Sequence, residues 1–230
     1  MSWPESRAAL VAEQVALGAR RPPAWRPGDA PPEVAGCFVC FPRGASGRGA
    51  AGDPAWAAAA SAAAGAVVVR GTAGAPYDPG LLALREGPLL AAAVRALPRP
   101  PDVLLVDATG RDHPRGAGLA LHLGAVLDLP TVGVTHRPLV AEGEWPEPRR
   151  GAWAPLRLDG EIVGAWLRTR GRARPLAVHA AWRTDVETAV TVVLAAAGRP
   201  RMPEPLRAAR HAARLARTGD RAGPAGRGCT

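Results

Sequence analysis

The chain has 230 residues, 47% of them hydrophobic, which supplies one sizeable core without demanding a second domain. No apolar run reaches membrane-spanning length, and Glu5 and Glu13 near the start are unlike a secretory leader, so a cytoplasmic protein with no membrane partner is expected. The net charge of +9 favours polyanionic partners, but every one of the 29 basic residues is arginine in a chain crowded with Ala, Gly and Pro, so compositional bias explains the charge as readily as phosphate binding does.

Leu10, Val11, Gln14, Val15 and Leu17 recur at helical spacing and predict a helix over 7–19, ended by the proline-rich stretch 21–32. Residues 34–41 are apolar and bounded by Pro32 and Pro42, the mark of a buried strand. That strand carries Cys37 and Cys40; with the distant Cys229 they make neither a disulfide framework nor a zinc set, so reduced thiols are expected. The alanine-rich stretch 55–64 suits a helix or a small-residue strand, and periodicity does not choose between them, whereas 67–70 is a strand. Pro76, Pro79 and Gly80 make a rigid turn around Tyr77, which feeds a helix begun by Leu81 and Leu82 and carrying Glu86. Residues 103–106 form an apolar strand that ends at Asp107. A loop, a helix marked by Leu119, Leu121, Leu123, Val126 and Leu127, and a strand at 132–134 follow, a unit that favours parallel pairing. Strands at 162–167 and 176–178 precede a helix over 185–197. From Arg207 onward six arginines stand against Asp220 alone, so the division expected is a compact domain over 1–206 and a flexible basic tail over 207–230, at most a weak phosphate anchor.

Asp107 closes a buried strand, a position that serves a ligand or metal but more often caps the following turn. Glu86 taken alone is an ordinary helix residue. The two become a magnesium site only if the fold joins them, because that ion requires hard oxygen donors. His113-Pro114-Arg115 offers a proton donor and a phosphate clamp, whereas His122 on the next helix reads as a core histidine. Tyr77, the sole tyrosine, is either a face for stacking beside a base or an ordinary loop aromatic.

Three runs carry a more specific signal. They are Pro76-Tyr77-Asp78-Pro79-Gly80-Leu81-Leu82 leading to Arg85-Glu86; Val106-Asp107-Ala108-Thr109-Gly110 leading to His113-Pro114-Arg115, Gly118, His122 and Gly124; and Thr131-Val132-Gly133-Val134. With Arg201-Met202-Pro203-Glu204-Pro205 they resemble the endonuclease V family over residues 13–205. The resemblance implies an α/β fold, an RNase H-like mixed sheet flanked by helices, and magnesium-dependent cleavage of DNA or RNA containing hypoxanthine. It implies that Tyr77 and Pro79 belong to a strand-separating wedge and that Gly80, Leu82, Leu119 and Gly133 surround the flipped base. Arg115 and His136 would contact the nucleic acid, His113 would assist catalysis, and Glu86 and Asp107 would be catalytic carboxylates that bind the metal. Extraction of the base is favoured by the weak pairing of hypoxanthine.

The sequence also departs from the family's pattern. Phe38 stands where the family has a first-strand Asp, and neither a phenyl ring nor the neighbouring thiols ligate so hard an ion well. The family's lysine after the Gly-Val strand is matched by His136 and its last-motif histidine by Trp182, while Ala108 and Thr109 replace Gly and His. Weakened metal binding is therefore expected, with Asp185 and Glu187 as the acids that would compensate. Three readings follow: a magnesium-dependent endonuclease, a catalytically inactive nucleic-acid-binding module, and a protein-interaction module on the same fold.

Overall fold

The structure, a computed structural model, describes residues 3–43 and 49–221. One mixed sheet organises them. Its strands are β1 (Val34–Cys40), β2 (Pro54–Ser61), β3 (Gly65–Thr72), β4 (Val103–Val106), β5 (Thr131–Thr135), β6 (Trp153–Leu158), β7 (Glu161–Leu167) and β8 (Leu176–Ala180), in the spatial order β3-β2-β1-β4-β5-β8-β7-β6. The central β1, β4 and β5 run parallel and the other neighbours antiparallel. The helices are α1 (Arg7–Ala19), α2 (Leu82–Arg95), α3 (Leu119–Leu127), α4 (Val186–Ala196) and α5 (Glu204–Arg221).

Period-two alternation along the strands divides the core. Ala35, Cys37, Ala57, Ala59, Leu104 and Val106 face α1, α2 and α3, where Leu10, Leu90 and Leu121 pack on them. Their alternates face the other way: Val103, Leu105, Val132 and Val134 pack with Val190 and Val193 of α4, and Cys40, Ala58 and Ala60 with Ala209 and Ala213 of α5. The architecture is thus the expected mixed sheet with helices on both faces, and β4, α3 and β5 form the expected parallel unit. Cys37 and Cys40 are buried free thiols, while Cys229 lies outside the described residues. Among the described residues no helix is long and apolar enough to cross a membrane.

One element settles an open reading and another corrects the sequence reading. The undecided alanine run is strand β2, and the residues assigned to a flexible tail form α5 as far as Arg221, so the boundary placed at 206 falls inside a packed helix. Leu206, Ala209, Ala213 and Arg217 recur on one face of α5 and are buried. Alanines on helix and strand allow close approach, and a Cβ on Gly36 would strike the backbone of Pro205 and Leu206. Polar ties finish the docking: Asp220 accepts from Trp56 Nε1 at 2.6 Å and from Arg70 at 2.8 and 3.0 Å, and Arg217 donates to the Phe41 carbonyl at 3.0 Å. Residues 222–230 lie outside the described residues. Strand β6, a half-exposed edge containing Pro155, was not anticipated.

Candidate functional site

The turn around Tyr77 is held from both ends. Gly80 has φ +79°, a left-handed conformation that glycine adopts without strain, and its carbonyl then meets three donors. These are Gln14 Nε2 at 3.0 Å, His113 Nε2 at 3.1 Å and Arg115 Nη2 at 3.1 Å. Arg115 Nε also donates to Gln14 Oε1 at 2.7 Å, and its backbone N–H donates to His113 Nδ1 at 3.2 Å. Because Nδ1 accepts, the proton of a neutral His113 sits on Nε2 and points at Gly80. His113 is 2% exposed and burial lowers its pKa, so it is a neutral strut. The hydrogen bonds of His113 and Arg115 thus brace the turn. On the other side, buried Arg85 donates to the Ala50 and Ala75 carbonyls at 2.9 and 2.8 Å and to Asp53 at 3.0 Å, and lies 4.1 Å over the Phe41 ring. Tyr77 itself is 42% exposed.

Behind this turn lies a cavity of about 190 Å³ whose lining includes Tyr77, Pro79, Gly80, Leu82, His113 and Leu119. Asp107, Ala108, Thr109, Thr135 and Leu139 also line it. Gly133 sits beneath the cavity, where any Cβ would fall on the Ala108 carbonyl oxygen. The Thr135 hydroxyl lies 2.8 Å from His179 Nε2, and His179 Nδ1 lies 3.4 Å from Asp112. Fully buried Asp112 accepts from the N–H groups of Leu139, Val140 and Ala141 at 2.7, 2.9 and 2.7 Å, fixing the loop that carries Leu139 into the cavity wall. No motif had marked Asp112, Thr135 or His179, because they converge only through the pairing of β5 with β8.

Glu86 and Asp107 approach the carboxyl end of β4 from different sides. Burial, with the Asp107 charge adding to it and Arg85 opposing, pushes the Glu86 pKa up to about 7. The Cys37 thiol is also pushed up, first by burial and then by the charges of Asp107 and Glu86, which places it within electrostatic reach of both. The parallel register sets Cys37 opposite Val106 and carries Phe38 alongside Asp107. Phe38, however, points to the α5 face, with its ring centroid 4.9 Å from the Arg210 guanidinium carbon and 5.7 Å from that of Arg214. Arg210 Nη2 donates to Asp107 at 2.6 Å.

These residues do not fit magnesium. Among the described residues no three His, Cys, Asp or Glu side chains gather into a ligand set, Phe38 has no donor atom, and Asp107 is already paired with a cation. Asp185 and Glu187 do not compensate. Asp185 caps α4, accepting from the Thr188 N–H at 2.9 Å, and pairs with Arg26 at 2.5 Å, while Glu187 follows it on the same helix. Trp182 packs against Thr131 at the start of β5, the end remote from Asp107. His136 is exposed, lies 2.8 Å from Arg201, and lines a surface groove of about 860 Å³ with Arg207, Arg210 and Arg214. Arg210 and Arg214 had been read as tail charges; their signal was helical spacing directly after the Arg201–Pro205 motif.

A profile of the endonuclease V family matches residues 28–211, which takes in α5 as far as His211. The endonuclease V of Roseiflexus sp. (strain RS-1) is 46% identical over 134 residues, an alignment covering 58% of this chain and 60% of that protein's length. The Streptomyces avermitilis endonuclease V structure superposes with a TM-score of 0.81 at 33% identity, covering 96% of this chain and 97% of that one. The Ciona intestinalis endonuclease V, solved with DNA containing an inosine followed by a ribo-adenosine, shares the fold with a TM-score of 0.70 at 20% identity over 94% of this chain and 100% of that one. The sheet is the RNase H-like sheet of these proteins. With its Tyr77 turn, its cavity, the helix carboxylate Glu86 and the strand-end carboxylate Asp107 on that sheet, and a match over most of its length, the chain belongs to the endonuclease V family.

Proposed function

We propose that this protein recognises hypoxanthine in DNA or RNA by taking the base into the cavity behind Tyr77, and that it holds the strand with little hydrolysis. The cavity carries the reading. Its volume of about 190 Å³ suits one bicyclic base, with Pro79, Leu82 and Leu119 to contact the flat faces and turn backbone groups to meet the polar edge. The braced turn supports it further, since a wedge already rigid loses little entropy on insertion. The family's nuclease chemistry supports a phosphodiester at the end of β4. Magnesium, which in such sites activates water and neutralises the phosphate, lacks a third carboxylate here, and this argues for retention over cutting. The Ciona relative's inosine-containing DNA is consistent with the choice of base.

Labelled inosine-containing and matched control strands, DNA and RNA, incubated with the protein and magnesium or manganese and resolved on native and denaturing gels, test this. Preferential retardation of the inosine strand without a cleavage product is the expected result. Efficient cutting would overturn the retention half of the proposal, and equal affinity for both strands would overturn base recognition.

A further inference from the structure

We infer that Arg210 is the resident cation of the strand-end carboxylate site, so that this protein grips a phosphate there without a divalent metal ion. Two contacts converge on its guanidinium. It donates to Asp107 at 2.6 Å and lies 4.9 Å from the centroid of the Phe38 ring, and Arg214 lies 5.7 Å from the same ring. Phe38 is therefore a platform. Its ring face carries the negative lobe of the aromatic quadrupole, which attracts a planar cation stacked on it, whereas a carboxylate in its place would attract a metal.

The charges give the same answer. Asp107 is neutralised by one guanidinium, and Arg214 adds a second positive charge against the buried Glu86, so the end of β4 already holds as much cation as carboxylate. A divalent cation at Asp107 would compete for the oxygen that Arg210 holds and would sit within a few ångströms of that guanidinium, a repulsion that grows in a partly buried setting. Arg210 and Asp107 are 28% and 23% exposed, so the pair is shielded yet partly open. Arg210 lines the groove of about 860 Å³ along α5, shared with His136, Arg201, Glu204, Arg207 and Arg214, while Asp107 lines the cavity behind Tyr77. Of the three guanidinium nitrogens of Arg210, only Nη2 makes a hydrogen bond among the described residues. The remaining edge can donate to a phosphodiester oxygen in the groove. α5 is thus part of the site and supplies its positive charge.

The metal arm of the test is independent of the nucleic-acid reading; the phosphate arm rests on it. Manganese binding to the full chain is followed by electron paramagnetic resonance for the parent, Arg210→Ala, Arg210→Lys and the double variant Phe38→Asp/Arg210→Ala, each checked for folding by circular dichroism. The parent is expected to leave the aqueous manganese signal unchanged at sub-millimolar concentration, and the double variant, with three carboxylates, to bind at least about ten-fold more tightly. Strand binding by fluorescence anisotropy should change less than about two-fold between EDTA and magnesium for the parent. It should fall roughly ten-fold for Arg210→Ala on inosine and control strands alike, with Arg210→Lys in between because charge survives and the stacked fork does not. Stoichiometric manganese binding by the parent, as tight as that of the double variant, would overturn the inference. So would strand binding abolished by EDTA or unaltered in Arg210→Ala. A parent that binds neither manganese nor any strand would leave Arg210 as the neutralising cation while defeating its phosphate contact and the proposed function together.

Discussion

The Gly80 carbonyl takes its donors from Gln14, His113 and Arg115, all supplied by segments other than its own turn. Arg115→Ala removes one donor to Gly80 and leaves Gln14 Oε1 without its partner, so it should cost about 1–3 kcal/mol in urea denaturation and blunt the preference for inosine strands. Arg115→Lys should not rescue it, because one ammonium cannot reach both Gln14 and Gly80 with the guanidinium's fixed geometry. Tyr77→Ala should behave differently. The ring is exposed, so stability should hold while inosine-specific binding weakens by roughly 1–3 kcal/mol, the usual loss for a base–aromatic stack. Undiminished binding of inosine strands by Tyr77→Ala would show that the turn is no wedge. His113 and Arg115 were visible in the sequence as chemistry-bearing side chains. Their direction was not, because it depends on Gln14, which an amphipathic helix delivers from 101 residues away.

At the scale of elements, the contact of α5 with β2 shows what hydrophobic patterning hides. Alanine is a weak apolar signal, and the arginines between the alanines make the segment read as solvated; yet Ala209 and Ala213 are fully buried against Ala58 and Ala60. A flexible tail would tolerate deletion. Removing residues 207–230 should instead lower the melting temperature sharply and promote aggregation, since it uncovers that alanine face and strips Trp56 Nε1 of its Asp220 partner. A gentler probe is Ala213→Leu. Added methylenes in a contact this close cost about 1–3 kcal/mol, so thermal denaturation should show a lower midpoint, whereas His211→Leu on the exposed face should change little. An unchanged midpoint for Ala213→Leu would mean that α5 is loosely docked.

For the whole molecule, buried imidazoles set the response to acid. His122 is fully buried, stacked on Trp3 with centroids 4.9 Å apart, and neither ring nitrogen has a hydrogen-bond partner. Burial alone pulls its pKa down to about 4, so Glu13 at 3.7 Å forms no ion pair with it near neutral pH. His179 is pulled down to about 4 as well, by burial with Asp112 opposing. Between the ordinary value near 6.5 and 4 the unfolded chain binds these protons first. Their stabilisation is therefore complete above that range and lost as pH falls through it, at about 1.4 kcal/mol per pH unit for each ring. Glu86, raised to about 7, acts oppositely, since the folded state takes up its proton first on acidification. With two rings against one carboxyl, urea midpoints should fall from pH 6.5 to 4.5, His122→Phe should flatten the slope and Glu86→Gln should steepen it. A midpoint that rises over that range would contradict the burial of both histidines.

Local and short-range features were enough to read β1, β4, β5, α1, α2, α3 and α4, because each carries its own periodicity and its own turn signals. The ordered motifs were enough to name the family, and Phe38 was enough to cast doubt on the metal. The tertiary structure decided what depends on pairing across the sheet. It made the alanine run a strand because α5 covers it, it turned His113 and Arg115 inward because Gly80 presents its carbonyl there, and it put Arg210 on Asp107 because α5 runs along β1 beside β4. Those outcomes depend on contacts between residues far apart in sequence, whose energies are settled only once the chain has closed on itself.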